Sequence, residues 1–405
     1  MCNAITVLCK VVDNYGDIGF VYRLARSLKE KNPDLKINLV VSNLSSFKLM
    51  APDISEGLAK QNAEGFTIYD WNADEVCEKD FSKNPPVVIF ECFECGRPEW
   101  LEKILFAENA TLSHIVSIEY LSAEDWVEEF HLLPSATRSA RVKKINFMPG
   151  FTKNTGGLVL DSHFAKCAKD RKYAVDFVSS YLPPSVADSL KNPSELCILL
   201  FSYPRDFSVL VKAISFLEQN KEKLGLSCVR VLSATKEFNA FAKNLNAVFK
   251  TVELPALPQP AWDALLCSCD FLFVRGEDSF SRACLSGIPF LWEAYIQKDE
   301  QQLVKTLALV LKLKPHFSDE DFLTVQKAFL SYNYNDSNLC GSEARDALSS
   351  CEAAKPYEKS ASILSDFLMK MNRLKKGFSS FSESLFANGN LTDKVMELIS
   401  GWQSF

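Results

Sequence analysis

The first candidate for chemistry is a loop near the start of the chain that carries two carboxylates four residues apart, Asp13 and Asp17. The loop follows an apolar run and precedes a predicted helix that begins near Phe20. Gly16 and Gly19 allow the backbone to turn tightly or to approach a ligand, and the first amides of a helix attract negative charge. Either carboxylate could instead cap the helix or the turn. The loop on its own therefore leaves ligand binding and capping open.

A second loop of the same kind lies much further along the chain, again between an apolar run and a predicted helix. Arg275 supplies a fixed positive charge there, and Gly276 follows it. The amides of Glu277, Asp278 and Ser279 are expected at the helix N-terminus, where phosphate oxygens bind well. These features predict a cradle for a diphosphate. The alternative is an ordinary helix start with Asp278 or Ser279 as the cap.

The elements that must position both loops follow an alternation of short β-rich runs and longer helical patterns. Such alternation is typical of parallel sheets with helical crossovers, and it predicts an α/β fold. The predicted strands are 6–10, 37–41, 66–69, 87–89 and 115–118 in the first half, and 196–201, 227–232, 247–252, 270–274 and 289–292 in the second. Each half is therefore expected to form its own nucleotide-binding type of sheet.

A proline-containing stretch near the middle of the chain marks the predicted boundary between two Rossmann-like domains. We expect an N-terminal domain at 1–184 and a C-terminal domain at 185–376, with the C-terminal helices of 377–405 completing the first domain. The last helix is predicted over 392–402, with Thr392 as its N-cap. Because ligands bind at the carboxyl ends of parallel strands, both loops are expected to face a central cleft.

Composition restricts the class of protein. A chain of 405 residues that is 47% hydrophobic and 24% charged predicts a folded protein with more than one core. A net charge of -6 argues against a protein that binds nucleic acid. The sequence shows neither a secretory signal nor an apolar run near the roughly 20 residues of a membrane span, so we expect a cytoplasmic protein without membrane contacts.

Cysteine and histidine patterns do not predict a metal or redox site. The 13 cysteines are an odd number and are scattered along the chain, so a disulfide framework is not indicated. Cys92 and Cys95 have C-x-x-C spacing, but no second pair completes a zinc site. The 4 histidines are widely separated and form no recognisable nucleophile motif. We therefore expect no metal and no separate cofactor.

Further motifs are spaced along most of the chain. In chain order, the blocks are Asp13-Asn14-Tyr15-Gly16-Asp17-Ile18-Gly19, Glu119-Tyr120-Leu121-Ser122-Ala123-Glu124-Asp125-Trp126, Pro149-Gly150-Phe151-Thr152, Arg275 to Phe280, and Gly287-Ile288-Pro289-Phe290-Leu291-Trp292. Their order and spacing resemble the protein-arginine rhamnosyltransferases that modify translation elongation factor P. A chance match of so many separated blocks is implausible.

The resemblance implies a GT-B glycosyltransferase fold and transfer of L-rhamnose from dTDP-β-L-rhamnose to an arginine side chain of elongation factor P, with inversion and without a metal. The modification would activate elongation factor P to relieve ribosome stalling at polyproline. The resemblance also implies that the donor binds mainly to the C-terminal domain and that the acceptor protein docks mainly on the N-terminal domain. Carried onto matching positions, it makes Asp17 the general base, with Asp13 and Glu277 as supporting carboxylates.

The expected donor-binding residues come from the loops that follow strands of both sheets. They are Asn14, Tyr15, Gly16, Gly19, Tyr203, Leu257, Pro258, Gln259, Arg275, Gly276, Asp278 and Ser279. Tyr203 follows the first strand of the second sheet and could stack on the nucleotide or contact the ribose. Gln259 follows the third strand and could bond the thymine edge.

Two alternatives stay open. The first is another GT-B enzyme, a different nucleotide-sugar transferase or an epimerase, for which donor preference would decide. The second is a non-catalytic protein that docks on elongation factor P. The intact set of Asp13, Asp17 and Glu277 argues against the second alternative, since a docking protein needs no such carboxylates.

Overall fold

A computed structural model of the chain describes residues 4–12, 16–335, 340–349 and 360–402. The chain divides into two compact units. The first comprises Met1–Ser162 and Leu385–Phe405, and the second comprises His163–Ser384.

Strands and helices alternate from the start. The elements are β1 (Ala4–Cys9), α1 (Gly16–Lys31), β2 (Lys36–Val41), α2 (Leu44–Met50), β3 (Lys60–Ala63), β4 (Phe66–Asp70), α3 (Asp74–Lys83), β5 (Val88–Cys92), α4 (Glu99–Leu105), β6 (Ser113–Ile118), α5 (Trp126–Phe130), β7 (Pro134–Ser135) and β8 (Val142–Phe147). They continue as α6 (Ser162–Lys169), α7 (Arg171–Val178), α8 (Pro184–Lys191), β9 (Glu195–Leu200), α9 (Ser208–Gln219), β10 (Cys228–Ser233), α10 (Lys236–Asn244), β11 (Lys250–Glu253), α11 (Gln259–Ser268), β12 (Phe271–Arg275), α12 (Glu277–Ser286), β13 (Phe290–Glu293), α13 (Gln302–Leu313), α14 (Asp319–Asn333), α15 (Ser342–Ser349), α16 (Ala361–Met369), α17 (Met371–Ala387) and α18 (Leu391–Gly401).

The sheet of the first unit has the strand order β3-β4-β2-β1-β5-β6-β8-β7. Its six central strands are parallel, and the two edge strands, β3 and β7, are antiparallel to their neighbours. Successive residues of β1 face opposite sides of the sheet: Val7 lies in a core cluster with Val395 of α18, and Leu8 lies in another with Trp100 of α4. The sheet is thus covered on both faces, which explains its apolar central strands.

The sheet of the second unit is entirely parallel, with the order β11-β10-β9-β12-β13. Its central strands are apolar on both faces, and Ile198, Leu199 and Phe271 are fully buried. Phe271 packs edge-on against Phe367 of α16, with 5.7 Å between ring centroids. The unit is thus a second three-layer α/β structure with its own core.

In each sheet the first strand of the unit lies in the middle, and the chain then builds outward on both sides. The direction of building reverses between β1 and β5 in the first unit and between β9 and β12 in the second. Loops after these strands diverge at such a switch point and leave a crevice that binds ligands in Rossmann-type sheets. The two candidate loops follow β1 and β12, and therefore lie at the switch points.

All ten predicted strands overlap observed strands, and the α/β class is confirmed. Three strands were not predicted. β3 is a polar edge strand, β7 has two residues, and β8 carries two lysines on a half-exposed stretch, so their sequences lack a clear apolar signal. Helix α1 begins at Gly16 rather than near Phe20, and both Gly16 and Gly19 lie within it.

The boundary between the units lies after Ser162, not at the predicted 184/185. The intervening helices belong to the second unit because α7 packs on α11, and Arg171 of α7 donates to Ser268 O at 2.6 Å. The chain returns to the first unit at Leu385 rather than at 377.

The prediction for the cap of the last helix was also wrong. Asn390 is the N-cap of α18, and its side chain accepts a bond from the Thr392 amide. Thr392 is the second residue of the helix and donates its hydroxyl to Ser27 of α1 at 2.8 Å.

None of the helices in the described part of the chain is long and apolar enough to cross a membrane.

Candidate active site

Asp17 lies in the first turn of α1, at the carboxyl end of β1, and is 1% exposed. Its Oδ2 accepts a hydrogen bond from the Val12 amide at 2.7 Å, and the Tyr120 hydroxyl approaches Oδ1 at 3.4 Å. These contacts hold a buried carboxylate at the switch point of the first sheet. Asp13, Asn14 and Tyr15, the other predicted residues of this loop, lie outside the described residues.

The cysteines beside Asp17 are poor nucleophiles. Burial, and then the charge of Asp17, raise the pKa of the Cys9 thiol well above its ordinary value. Burial also raises the pKa of Cys92, and raises that of Cys95 to about 12. All three groups are therefore protonated thiols near neutral pH, and the C-x-x-C pair is part of the packing of this edge of the sheet. The Asp17 carboxylate is the group suited to accept a proton here.

In the second unit, Arg275 is the last residue of β12, and Gly276 is the N-cap of α12. Gly276 has a φ of 70°, a conformation that favours glycine. It lets the chain turn directly from the strand into the helix, so that the amides of Glu277, Asp278 and Ser279 form the helix's open first turn. The cap is thus Gly276, and neither Asp278 nor Ser279 has that role.

The Arg275 guanidinium lies over two aromatic rings. Its Cζ is 4.6 Å from the Phe201 centroid and 4.3 Å from the Tyr203 centroid. Such stacking holds the cation in place while its edge stays able to donate hydrogen bonds. Arg275 and Tyr203, predicted separately from two loops, therefore form one cluster.

The side chains of Asp278 and Ser279 are held by helix α11. The Gln259 amide donates to Asp278 Oδ2 at 3.2 Å, and Trp262 Nε1 donates to Ser279 Oγ at 3.1 Å. The Asp278 carboxylate is thereby oriented toward Gln259, which reduces its repulsion of an anion at the helix N-terminus.

Gln259 is 3% exposed, so its side-chain amide serves this contact within the protein. Pro258 is the N-cap of α11, and Leu257 precedes it, half-buried. The predicted residues of this loop are thus brought beside α12. Glu277, in contrast to Asp278 and Ser279, is half-exposed.

A buried carboxylate that the sequence did not reveal organises the loop after β9. Glu293, at the carboxyl end of β13, is 2% exposed. It accepts the Ser202 hydroxyl at 2.5 Å, the Tyr203 amide at 2.9 Å and Arg205 Nη1 at 2.8 Å. The only signal in the sequence was a glutamate at the end of an apolar strand, where buried acids need partners.

Within the described ranges, no group of three or more His, Cys, Asp or Glu side chains is arranged to hold a metal ion. Positive charge at the second switch point is supplied by Arg275 and by helix amides. The second unit thus offers groups suited to an anion at its switch point, and the first unit carries a buried carboxylate at its own.

Two Rossmann-like units, each with candidate side chains at its switch point, define the GT-B fold of glycosyltransferases. A solved structure on the basis of EarP-mediated arginine glycosylation of translation elongation factor EF-P has the same fold. The match covers 98% of this chain and 99% of the chain in that structure, with a TM-score of 0.55 at 18% sequence identity.

Sequence comparison gives the family. The family model of the elongation factor P (EF-P) rhamnosyltransferase EarP matches residues 5–400. A protein-arginine rhamnosyltransferase of Shewanella oneidensis is 32% identical over 75% of this chain and 79% of its own length. Another, from Neisseria meningitidis serogroup B, is 28% identical over 98% of this chain and 97% of its own length. The chain belongs to the EarP family and is a protein-arginine rhamnosyltransferase.

Proposed function

We propose that this enzyme transfers L-rhamnose from dTDP-β-L-rhamnose to an arginine of translation elongation factor P, with inversion at the anomeric carbon and without a metal ion. The observation that carries the proposal is the buried Asp17 carboxylate at the first switch point, in a chain of this family. We further propose that the first unit binds the acceptor and that the second binds the donor. Since elongation factor P works on the ribosome, the reaction is assigned to the cytoplasm.

The donor half of the proposal rests on the start of α12. The departing dTDP gains negative charge as the glycosidic bond breaks. Arg275 and the amides of Asp278 and Ser279 are suited to receive that charge, because helix N-termini and guanidinium groups both bind phosphate oxygens. Tyr203, which stacks with Arg275, would contact the nucleoside. The open turn at Gly276 permits close approach of the diphosphate.

The main chemical difficulty is the low reactivity of the acceptor arginine, and Asp17 is suited to overcome it. The guanidinium of arginine stays protonated in proteins, and its nitrogen lone pairs are delocalised, so it is a poor nucleophile. A carboxylate can fix the guanidinium by charge-assisted bonds and orient one nitrogen toward the anomeric carbon. We assign this role to Asp17, supported by Asp13.

The transfer itself is a single displacement. A bond forms between the arginine nitrogen and the anomeric carbon while the bond from that carbon to the phosphate oxygen breaks, and the nitrogen's proton passes to Asp17. The transition state has oxocarbenium character. Glu277, which is half-exposed in the first turn of α12, would stabilise the developing positive charge on the sugar.

The experiment is intact-mass measurement of purified elongation factor P after incubation with the enzyme and dTDP-β-L-rhamnose. We expect the addition of one deoxyhexose, which is lost when the acceptor arginine is replaced by lysine. UDP-N-acetylglucosamine and dTDP-glucose serve as donor controls. Modification with one of these donors and not with dTDP-β-L-rhamnose would favour another sugar transferase. Stable binding of elongation factor P and dTDP without any addition would favour a docking protein.

A further inference from the structure

An aromatic pair stands beside Asp17 and has no role in the function proposed so far. Phe93 follows β5, and Tyr120 follows β6, so both lie at the carboxyl edge of the first sheet near the switch point. Their rings are stacked, with centroids 4.3 Å apart and an interplanar angle of 17°. The Tyr120 hydroxyl lies 3.4 Å from Asp17 Oδ1. The pair therefore reaches the carboxylate through Tyr120.

Phe93 is held firmly as the inner member of the pair. It is 7% exposed, and its amide donates to Ile118 O at 2.7 Å. Its ring also contacts Phe20 of α1, with centroids 5.2 Å apart. Asp17 contacts Tyr120, Tyr120 stacks on Phe93, and Phe93 contacts Phe20. Because Phe20 lies three residues after Asp17, the first and last members of this series lie on the same face of α1.

The backbone at this position is unusual. Phe93 has a φ of 60° and Glu94 a φ of 47°, values that residues other than glycine rarely adopt. A disfavoured conformation persists only where surrounding contacts impose it, and such conformations concentrate at functional sites. Here its effect is to place the Phe93 ring beneath Tyr120.

Tyr120 is the outer member of the pair. Although Phe93 stacks on its ring, the residue is 43% exposed. A tyrosine that is backed by a buried ring and remains accessible can receive a second planar group. Guanidinium is such a group, since it is flat and positively charged and stacks on aromatic faces.

We propose that Tyr120 is the residue that receives the acceptor arginine, stacking its ring on the guanidinium and thereby presenting it to Asp17. The inference rests on the proposed function and adds to it a contact for the substrate side chain in the first unit. It also predicts a preference for guanidinium over ammonium, because an ammonium group is attracted to an aromatic face but cannot stack on it as a plane. Phe93 is then a positioning residue that sets the plane of the Tyr120 ring.

The test compares three variants of the full chain in steady-state rhamnosylation of elongation factor P at saturating dTDP-β-L-rhamnose. Tyr120→Leu removes the ring, and Tyr120→Phe removes only the hydroxyl. Tyr181→Leu is a matched control, because Tyr181 is also 43% exposed and stacks on a phenylalanine, Phe177. We expect Tyr120→Leu to raise the KM for elongation factor P by about 3- to 30-fold, the range of a cation–π contact. Tyr120→Phe should stay within about 3-fold, and Tyr181→Leu should be unchanged.

A double-mutant cycle on binding distinguishes a direct contact between Tyr120 and the guanidinium from a merely structural role of Tyr120. The dissociation constant for elongation factor P is measured with the enzyme and Tyr120→Leu, each against the acceptor with its arginine intact or replaced by alanine. If the ring contacts the guanidinium, loss of the arginine weakens binding to the enzyme by a larger factor than it weakens binding to Tyr120→Leu, in which the contact with Asp17 remains. Additive losses would overturn the inference, as would equal KM values for the enzyme and Tyr120→Leu.

These failures are distinguishable from failure of the proposed function. An enzyme that leaves elongation factor P unmodified would overturn the function itself. An active enzyme whose Tyr120→Leu variant modifies elongation factor P as efficiently would overturn only the role of Tyr120. The affinity for dTDP, which this residue is not proposed to contact, should be the same in all variants.

Discussion

Replacing Asp17 by asparagine removes a charge and leaves the shape of the side chain unchanged. Asp17 is 1% exposed and accepts the Val12 amide through Oδ2 at 2.7 Å. The amide oxygen of asparagine can accept the same bond, and the Tyr120 hydroxyl can accept from the new amide nitrogen. Local structure should therefore survive, while proton acceptance is lost.

A positioned general base contributes about 10²- to 10⁴-fold to rate. Asp17→Asn should therefore lower kcat by about this factor, which is equivalent to roughly 3–5 kcal/mol of barrier. The assay is a time course of intact mass for elongation factor P with excess enzyme and saturating dTDP-β-L-rhamnose, so that a single turnover is observed. The dissociation constant for dTDP and the melting temperature are measured on the same samples.

Asp70→Asn is a suitable control, since Asp70 ends β4 of the same sheet and accepts the Asn72 amide, but lies away from the switch point. We expect this variant to turn over normally. An unchanged rate in Asp17→Asn would refute the assignment of the base. A loss of rate together with a lower melting temperature would show that the substitution acted through folding and not through proton transfer.

Three further predictions concern groups that hold the fold and the donor loop. Glu293→Ala should raise the KM for dTDP-β-L-rhamnose and lower the free energy of unfolding by about 3–5 kcal/mol, because the half-buried Arg205, whose Nη1 lies 2.8 Å from Glu293, loses its carboxylate partner. Donor titration and urea unfolding measure the two effects. Arg23→Leu should cost about 3–5 kcal/mol for the same reason, since its guanidinium lies 2.9 Å from Asp161 and both residues are at most 3% exposed; a double variant with Asp161→Leu should recover stability in urea. Burial, with a smaller effect from Lys394, lowers the pKa of His131 to about 4, and the unfolded value is near 6.5. The folded state then binds fewer protons, so stability is fully present above about pH 6.5 and falls as the pH drops toward 4. Melting temperatures between pH 7 and 4 should fall less steeply in His131→Gln, and parallel curves would contradict this.

The sequence by itself determined the fold class and the two candidate loops. Alternating β-rich and helical runs predict parallel strands because buried parallel strands must be apolar on both faces. The sequence also indicated that the loop at 275–279 runs from a strand into a helix, although the N-cap is Gly276 and not Asp278 or Ser279. The motifs around Asp17 and Arg275 likewise indicated the family before any contact was known.

Only the tertiary structure decided which distant residues meet. The boundary after Ser162 depends on α7 packing against α11, about 100 residues later, and no local pattern encodes that contact. Glu293 and Tyr203 are joined because β9 and β13 both flank β12 in the sheet. Tyr120 reaches Asp17 for a similar reason, since the order β1-β5-β6 brings the loops after these strands to one edge. Strand order is set by the burial of whole faces of the sheet, a property of the assembled chain and not of any segment within it.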